Sequence, residues 1–438
     1  MRHTPIPKEL PTMNRERLRA LLEPRSLVVV NANDIPVTNA DGTMTPVANT
    51  DLFYLTGIEQ EETILVLAPD ALDEKAREIL FVRETNERLA QWEGHKLTKD
   101  EARAVSGIAR VEWLDQFSRL FPSLMWEAEN VYLNSNDHAR AVVEVESRDA
   151  RFVRETQRQY PLHHYRRLAQ IMRTIRLVKS GHEIALLKKA CVITADSYAR
   201  VARFVRPGVN ECEVEAEFVH EYTRQRGRFA YTPIIASGKN GCVLHYGAND
   251  QPCKNGDVLL LDVAASYANY NADVTRALPV NGKFSRRQKQ VYEAVLRVLR
   301  QCADALMPGK RPRDWQKESE AFMEKELLAL GLLKPRDIKK QDPDKPALKK
   351  YFMHGIGHPL GLDVHDVIAP GVPMAAGWVM TVEPGIYLPD EGFAVRLEDD
   401  ILITERGNVN LTKDIAIEPG DIEALMNAGG KKPDVRRK

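Results

Sequence analysis

The chain has 438 residues, more than a single hydrophobic core usually serves, so two domains are expected. Lys plus Arg and Asp plus Glu each number 62, giving a formal net charge of zero, which argues against a nucleic-acid or anionic-membrane partner. The N-terminal MRHTPIPKELPTMNRERLRALL has no apolar core of the signal-peptide kind, and no run of about 18 apolar residues occurs, so a soluble, cytoplasmic chain is expected. Its cysteines, Cys191, Cys212, Cys242, Cys253 and Cys302, are odd in number and form no CxxC pair; they read as reduced thiols.

From Ser26 the chain runs through a strand-like SLVVVNA, then FYLTGIEQEETILVLAP broken by Gly57, a charged helix over residues 73–78, and the strand-like EILFVRE. Short apolar runs keep alternating with helical ones through residues 109–113, 115–125 and NVYLN, which predicts an α/β domain. A basic stretch at 164–178 reads as helix and leads to Lys179-Ser180-Gly181-His182-Glu183, where Ser180 and Glu183 have capping-box spacing. The domain boundary is placed near 175, giving domains 1–174 and 175–427 and a basic tail, 428–438, that reads as disordered.

The second domain carries an internal echo. A helix, Pro207-Gly208, a helix over 213–226 and Gly227 recur as a helix, Pro308-Gly309, a helix over 313–329 and Gly331. An ancestral duplication with a site between the halves would produce this, as would chance reuse of one turn. Residues 334–350, rich in Lys, Asp and Pro, read as a solvated insertion.

The chemistry concentrates in DVLLLDVAASYANYNADVTRALPV, residues 257–280. Asp262 sits in an apolar run, where an ionised carboxylate is costly without a partner. A two-residue turn at Ala268-Asn269 would set Asp262 opposite Thr275, with Asp273 one pleat away on the same face. An Arg, backbone donors or a metal ion could each neutralise the pair. A second hairpin, VMTVEPGIYL and FAVRLEDDILI around Pro389-Asp390-Glu391-Gly392, pairs Leu388 with Phe393 and so sets Glu383 opposite Glu398. Facing like charges again demand something positive between them. Between the hairpins, YFMHGIGHPLGLDVHDV offers His354, His358 and His365, and its glycines and Pro359 exclude a helical HExxH-type zinc pair. These histidines are site residues or merely surface and core ones. Asp262, Asp273, His358, Glu383 and Glu398 together supply four carboxylates and an imidazole, a set that predicts two divalent cations of the hard, Mn²⁺-like kind.

At these strings, and at NGCVLHYGAND, the chain resembles the creatinase/prolidase/methionine aminopeptidase superfamily, and within it the Xaa-Pro aminopeptidase family. The resemblance implies a creatinase-type α/β N-terminal domain followed by a pita-bread catalytic domain, an α+β whole. It implies Asp262 as a ligand of one metal, Asp273 and Glu398 as bridges, and His358 and Glu383 completing the other. The metal pair would be Mn²⁺, with Co²⁺ or Zn²⁺ as alternatives. Glu383 would move the proton, His245 and His365 would steady the substrate carbonyl, and His354 and Arg396 would stand behind the ligands. The reaction implied is hydrolysis of the N-terminal Xaa-Pro bond of proline-containing peptides by a metal-bridging hydroxide, in a homodimer or homotetramer. A dipeptide-restricted prolidase shares all five ligands, and a non-catalytic binding module of the same fold is the remaining reading. Trp92, which resemblance would let cap a neighbouring subunit's site, is taken as a packing aromatic. Pro359 departs from the aromatic residue common after the ligand histidine.

Overall fold

In the computed structural model the chain divides into two compact units, His3–Arg176 and a second from Leu177 onward. The structure describes residues 3–428 apart from 139, 142–143, 343 and 370; the tail expected to be disordered lies outside them but for Ala428.

The first unit is built on a six-stranded mixed sheet: β1 Ser26–Asn31, β2 Ile64–Leu67, β3 Glu78–Val82, β4 Arg110–Trp113, β5 Asn130–Leu133 and β6 His164–Arg167, in the order β4-β3-β2-β1-β5-β6. Strands β1, β2 and β5 are buried along their whole length, which is why they read as continuous apolar runs rather than alternating ones. One face of the sheet packs Leu27, Val29, Val66, Phe81 and Val131 against Phe121, Leu124 and Met125 of the helix Phe117–Glu127.

Three expectations here are corrected. Residues 73–78 form only the 3₁₀ turn Glu74–Ala76, because Glu78 already belongs to β3. Residues 164–167, expected to be helical, form β6, which pairs in parallel with β5; Tyr165 packs on the core while its neighbours face outward, and the helix proper is Leu168–Leu177. Open backbone donors at the edge of β5 outweigh a helical pattern of only one turn. Trp92 does not pack: it is 81% exposed on the helix Glu87–Glu93, which buries nothing.

The second unit repeats one plan. Helix Gly181–Phe204 runs into a turn at Gly208 and helix Glu211–Arg224; helix Arg286–Asp304 runs into a turn at Gly309 and helix Pro312–Ala329. Both turn glycines are left-handed, at φ 92° and 87°, and each donates its N–H to a strand-side carbonyl, of Cys253 and Met374 respectively, at 2.8 Å. The capping box of Ser180 and Glu183 opens the first helix as expected. The strands are β7 Arg228–Phe229, β8 Ile234–Ser237, β9 Val258–Asp262, β10 Ala265–Tyr267, β11 Tyr270–Asn271 and β12 Thr275–Pro279, then β13 Val379–Val382, β14 Gly385–Leu388, β15 Phe393–Arg396, β16 Asp399–Thr404 and β17 Gly407–Asn410. They form small antiparallel sheets, among them β12-β9-β8 and β13-β16-β17. Residues 334–350 are largely exposed around the short helix Pro335–Lys339, with Leu348 as their anchor.

Candidate metal centre

Ala268 and Asn269 both take left-handed backbone angles, φ 49° and 63°, the geometry of a type I′ turn. That turn fixes the register, so Asp262 lies opposite Thr275. The second hairpin pairs Leu388 with Phe393 and Val382 with Asp399, one continuous register in which Glu383 and Glu398 fall between the ladders. The Leu397 N–H donates to the Pro384 carbonyl at 3.2 Å, so the pairing carries through and the two glutamates stay opposite one another, as expected. Glu398 donates its N–H to the carbonyl of Thr275 at 3.0 Å, and Glu383 donates to that of Ile356 at 2.8 Å. The backbone of each glutamate is thereby tied to a different neighbouring segment.

Residues 354–365 are irregular, as their glycines require. Gly357 passes so close to β13 that a Cβ there would lie 2.0 Å from the carbonyl oxygen of Thr381. This approach lets His358 exchange two hydrogen bonds with Thr381: its N–H donates to Thr381 Oγ1 at 3.0 Å and its carbonyl accepts from Thr381 N–H at 2.9 Å. His358 Nδ1 meets the carbonyl of Pro359 at 3.0 Å, so Nδ1 carries the proton and Nε2 keeps its lone pair. That Nε2 lies 3.5 Å from Asp273 Oδ2 and 3.8 Å from Glu383 Oε1. His365 is exposed, with its ring edge-on to His358 at 4.3 Å.

Burial, then repulsion from Asp262, pushes the Asp273 carboxyl well above its ordinary range; burial, then Asp273, does the same to Glu398. Asp262 is held otherwise, by Arg396 Nη2 and Tyr231 Oη at 2.6 Å each. Arg396 also donates to Thr275 Oγ1 at 3.1 Å and to Tyr387 Oη at 2.8 Å, and Thr275 Oγ1 donates to Glu398 Oε2 at 2.7 Å. Burial and the nearby Arg396 lower His354 to about 4, leaving it neutral. Its Nδ1 donates to the carbonyl of Gly355, so the hydroxyl of Tyr387 donates to its Nε2 at 2.8 Å. His245 is exposed and within electrostatic reach of His354.

Among the described residues, Asp273, His358 and Glu398 offer ligand atoms all within 4.8 Å of one another. Two buried carboxyls raised by burial and by one another, beside an imidazole whose Nε2 faces Asp273, fit a divalent cation. Asp262 and Glu383 lie outside that triplet but close enough to raise both carboxyls. Sequence reasoning missed Tyr231, Tyr387, Thr381 and the buried ion pair Lys179–Asp366 at 2.9 Å, whose Asp366 N–H donates to the Pro359 carbonyl. For Tyr387 a signal existed: it lies two residues from Gly385, the partner of Arg396.

The family model described as metallopeptidase family M24 matches residues 185–405, and that described as the N-terminal domain of aminopeptidase P matches residues 12–132. The chain belongs to metallopeptidase family M24. Its likeness to curated proteins is end to end: 34% identity to the Xaa-Pro aminopeptidase of Escherichia coli (strain K12), covering 95% of this chain and 97% of that one, and 33% to that of Haemophilus influenzae, covering 96% and 98%. Among solved structures it is similar to zinc-substituted E. coli aminopeptidase P in complex with product, with a TM-score of 0.86, 33% identity and coverage of 98% and 100%. M24 membership makes this chain a metal-dependent hydrolase, with the two-domain α/β order expected from the resemblance. Full-length likeness to aminopeptidases P favours that reading over a prolidase or a binding module.

Proposed function

We propose that this protein hydrolyses the N-terminal Xaa-Pro bond of peptides at a dinuclear metal centre. The observation carrying the proposal is the Asp273–His358–Glu398 cluster, with His358 Nδ1 engaged by the Pro359 carbonyl and Nε2 turned toward Asp273. In this reading Asp262, Asp273, His358, Glu383 and Glu398 would hold the two cations. Oxygen-rich ligation favours Mn²⁺, with Co²⁺ or Zn²⁺ as substitutes. Two such cations supply a water acidic enough to attack near neutral pH.

The chain's own groups do the rest. Glu383 takes the water's proton and passes it to the departing prolyl nitrogen, a carboxylate's usual general acid/base work. His245 and His365 donate to the substrate carbonyl as its oxygen gains charge. His354 and Arg396, joined through Tyr387, keep Asp262 oriented. Five cysteines without a disulfide support a cytoplasmic setting, and the homodimer or homotetramer implied by resemblance completes the proposal. No helix among the described residues is long and apolar enough to cross a membrane.

The test compares Xaa-Pro-Yaa tripeptides with Xaa-Pro dipeptides on manganese-loaded protein. Cleavage of tripeptides, lost in Glu383→Gln, is the expected result; cleavage confined to dipeptides refutes the aminopeptidase reading.

A further inference from the structure

His245 stands on a loop with little regular structure: after β8 the chain makes the 3₁₀ turn Gly238–Cys242 and then runs irregularly to residue 250. Leu244 and Tyr246 pack against Ile234, Leu260 and Ala394, which leaves His245 between them facing out. Packing alone gives such a loop a floor but no fixed height, because nothing in it forms a ladder. The fastening comes from a helix.

Glu211, the first residue of the helix Glu211–Arg224, is fully buried at 0% exposure. Its Oε1 accepts from Ser237 N–H at 2.7 Å and Asn240 Nδ2 at 3.2 Å; its Oε2 accepts from Tyr246 Oη at 2.8 Å and Gln251 N–H at 2.9 Å. These donors mark the start, the turn, the neighbour of His245 and the end of the loop. None is a cation, so the charge rests on four hydrogen bonds and the positive end of the helix dipole. One helical turn on, Glu215 accepts from Asn249 Nδ2 at 3.0 Å, while Asn249 Oδ1 accepts from Ile235 N–H at 3.0 Å.

We infer that Glu211 is a positioning residue for the reaction: it pins the 238–250 loop so that His245 meets the substrate carbonyl at a set height. The inference rests on the substrate-binding role proposed for His245. Replacing Glu211 by Gln keeps the volume but turns an NH₂ toward a group that can only donate, at Gln251 or Ser237, so the loop loses at least one tie.

The experiment uses the full-length, manganese-loaded protein. In Glu211→Gln, amide exchange rises about tenfold across 238–250 while peptides spanning 258–280 and 379–404 stay as in the parent. kcat/KM for an Xaa-Pro-Yaa tripeptide falls about tenfold, mostly through kcat, with bound manganese unchanged. Placed on His245→Ala, the same change adds less than about twofold, because a pin without its pinned group has nothing left to position. Tyr246→Phe, which removes one donor and keeps the ring, gives a smaller change of the same kind and decides the matter if Glu211→Gln fails to fold. Unchanged exchange in the loop, full additivity with His245→Ala, or exchange rising throughout the unit with loss of manganese each overturns the inference. Wild-type kcat/KM in His245→Ala would instead refute the role of His245, leaving the exchange arm to judge the pin.

Discussion

Gly357→Ala tests how closely the metal centre depends on the approach of two backbones. The added Cβ would lie 2.0 Å from Thr381 O, 2.8 Å from Thr381 C and 3.0 Å from the Trp315 ring, and both neighbours are buried. Raising the first distance even to 3.0 Å requires a relative shift of about 1 Å between the two backbones, because backbone atoms have no rotamer to yield with. Thr381 is tied to His358 by two hydrogen bonds and lies two residues before Glu383, so the displacement reaches two proposed ligands at once. Metal sites tolerate about 0.2 Å of error in ligand distance, and a misplacement of about 1 Å at a reacting centre costs on the order of 10²-fold. Overpacking of this kind costs roughly 1–3 kcal/mol. The expected outcome is an approximately hundredfold fall in kcat/KM on a tripeptide and weaker manganese binding by calorimetry, with a protein that still folds and melts a few degrees lower. A Gly357→Ala protein with kcat/KM within about threefold of the parent, at equal metal content, would refute the reasoning.

Removing the metal should make the carboxylates take up protons. Asp273 and Glu398 lie above their ordinary range without a cation, so loading manganese near pH 6.5 releases protons and affinity climbs with pH; calorimetry in buffers of different ionisation enthalpy measures the release, and its absence counts against a shared cation. Lys179→Met removes the ammonium that Asp366 meets at 2.9 Å where both side chains are 1% exposed, and denaturant titration should show a loss of roughly 3–5 kcal/mol, much of it restored when Asp366 is also replaced by Leu. Asp149, whose carboxylate accepts from Asn31, is pushed up to about 6 by burial, so the folded chain keeps a proton that the unfolded chain gives up near its ordinary 3.8. Stability therefore falls as pH rises through that window; Asp149→Asn should flatten the slope and gain about 1–2 kcal/mol at pH 7, the helix N-terminus offsetting part of the burial cost.

Both hairpin registers were legible because each rests on a short loop whose length alone fixes the pairing; Asp262 opposite Thr275 needed only the turn at Ala268-Asn269. The irregular course of 354–365 was legible from its glycines. What pairing could not reveal was where the outward N–H groups of Glu383 and Glu398 go, since their acceptors, the carbonyls of Ile356 and Thr275, come from elsewhere in the chain. The same holds for Tyr231, which reaches Asp262 across 31 positions, and for Glu211, whose four partners spread over residues 237–251. In the first unit, β6 was misread because a four-residue strand at a sheet edge leaves almost no periodicity of its own.

The distance along the chain between the two hairpins has a consequence for when the protein becomes active. Arg396 meets Asp262 across 134 positions, and Thr275 meets Glu398 across 123. Contacts of that separation close late, because the chain between them must first be ordered. A polypeptide still emerging from the ribosome presents Asp262 and Asp273 long before Glu383 and Glu398 exist, and at the usual ~5–20 residues per second that interval lasts several seconds. During it the acidic pair lacks both glutamates of the second hairpin. On the proposed ligand set, a peptide-cutting centre divided in this way is complete only when synthesis has passed its last carboxylate, so the order of the chain itself would keep the growing protein from acting on its neighbours.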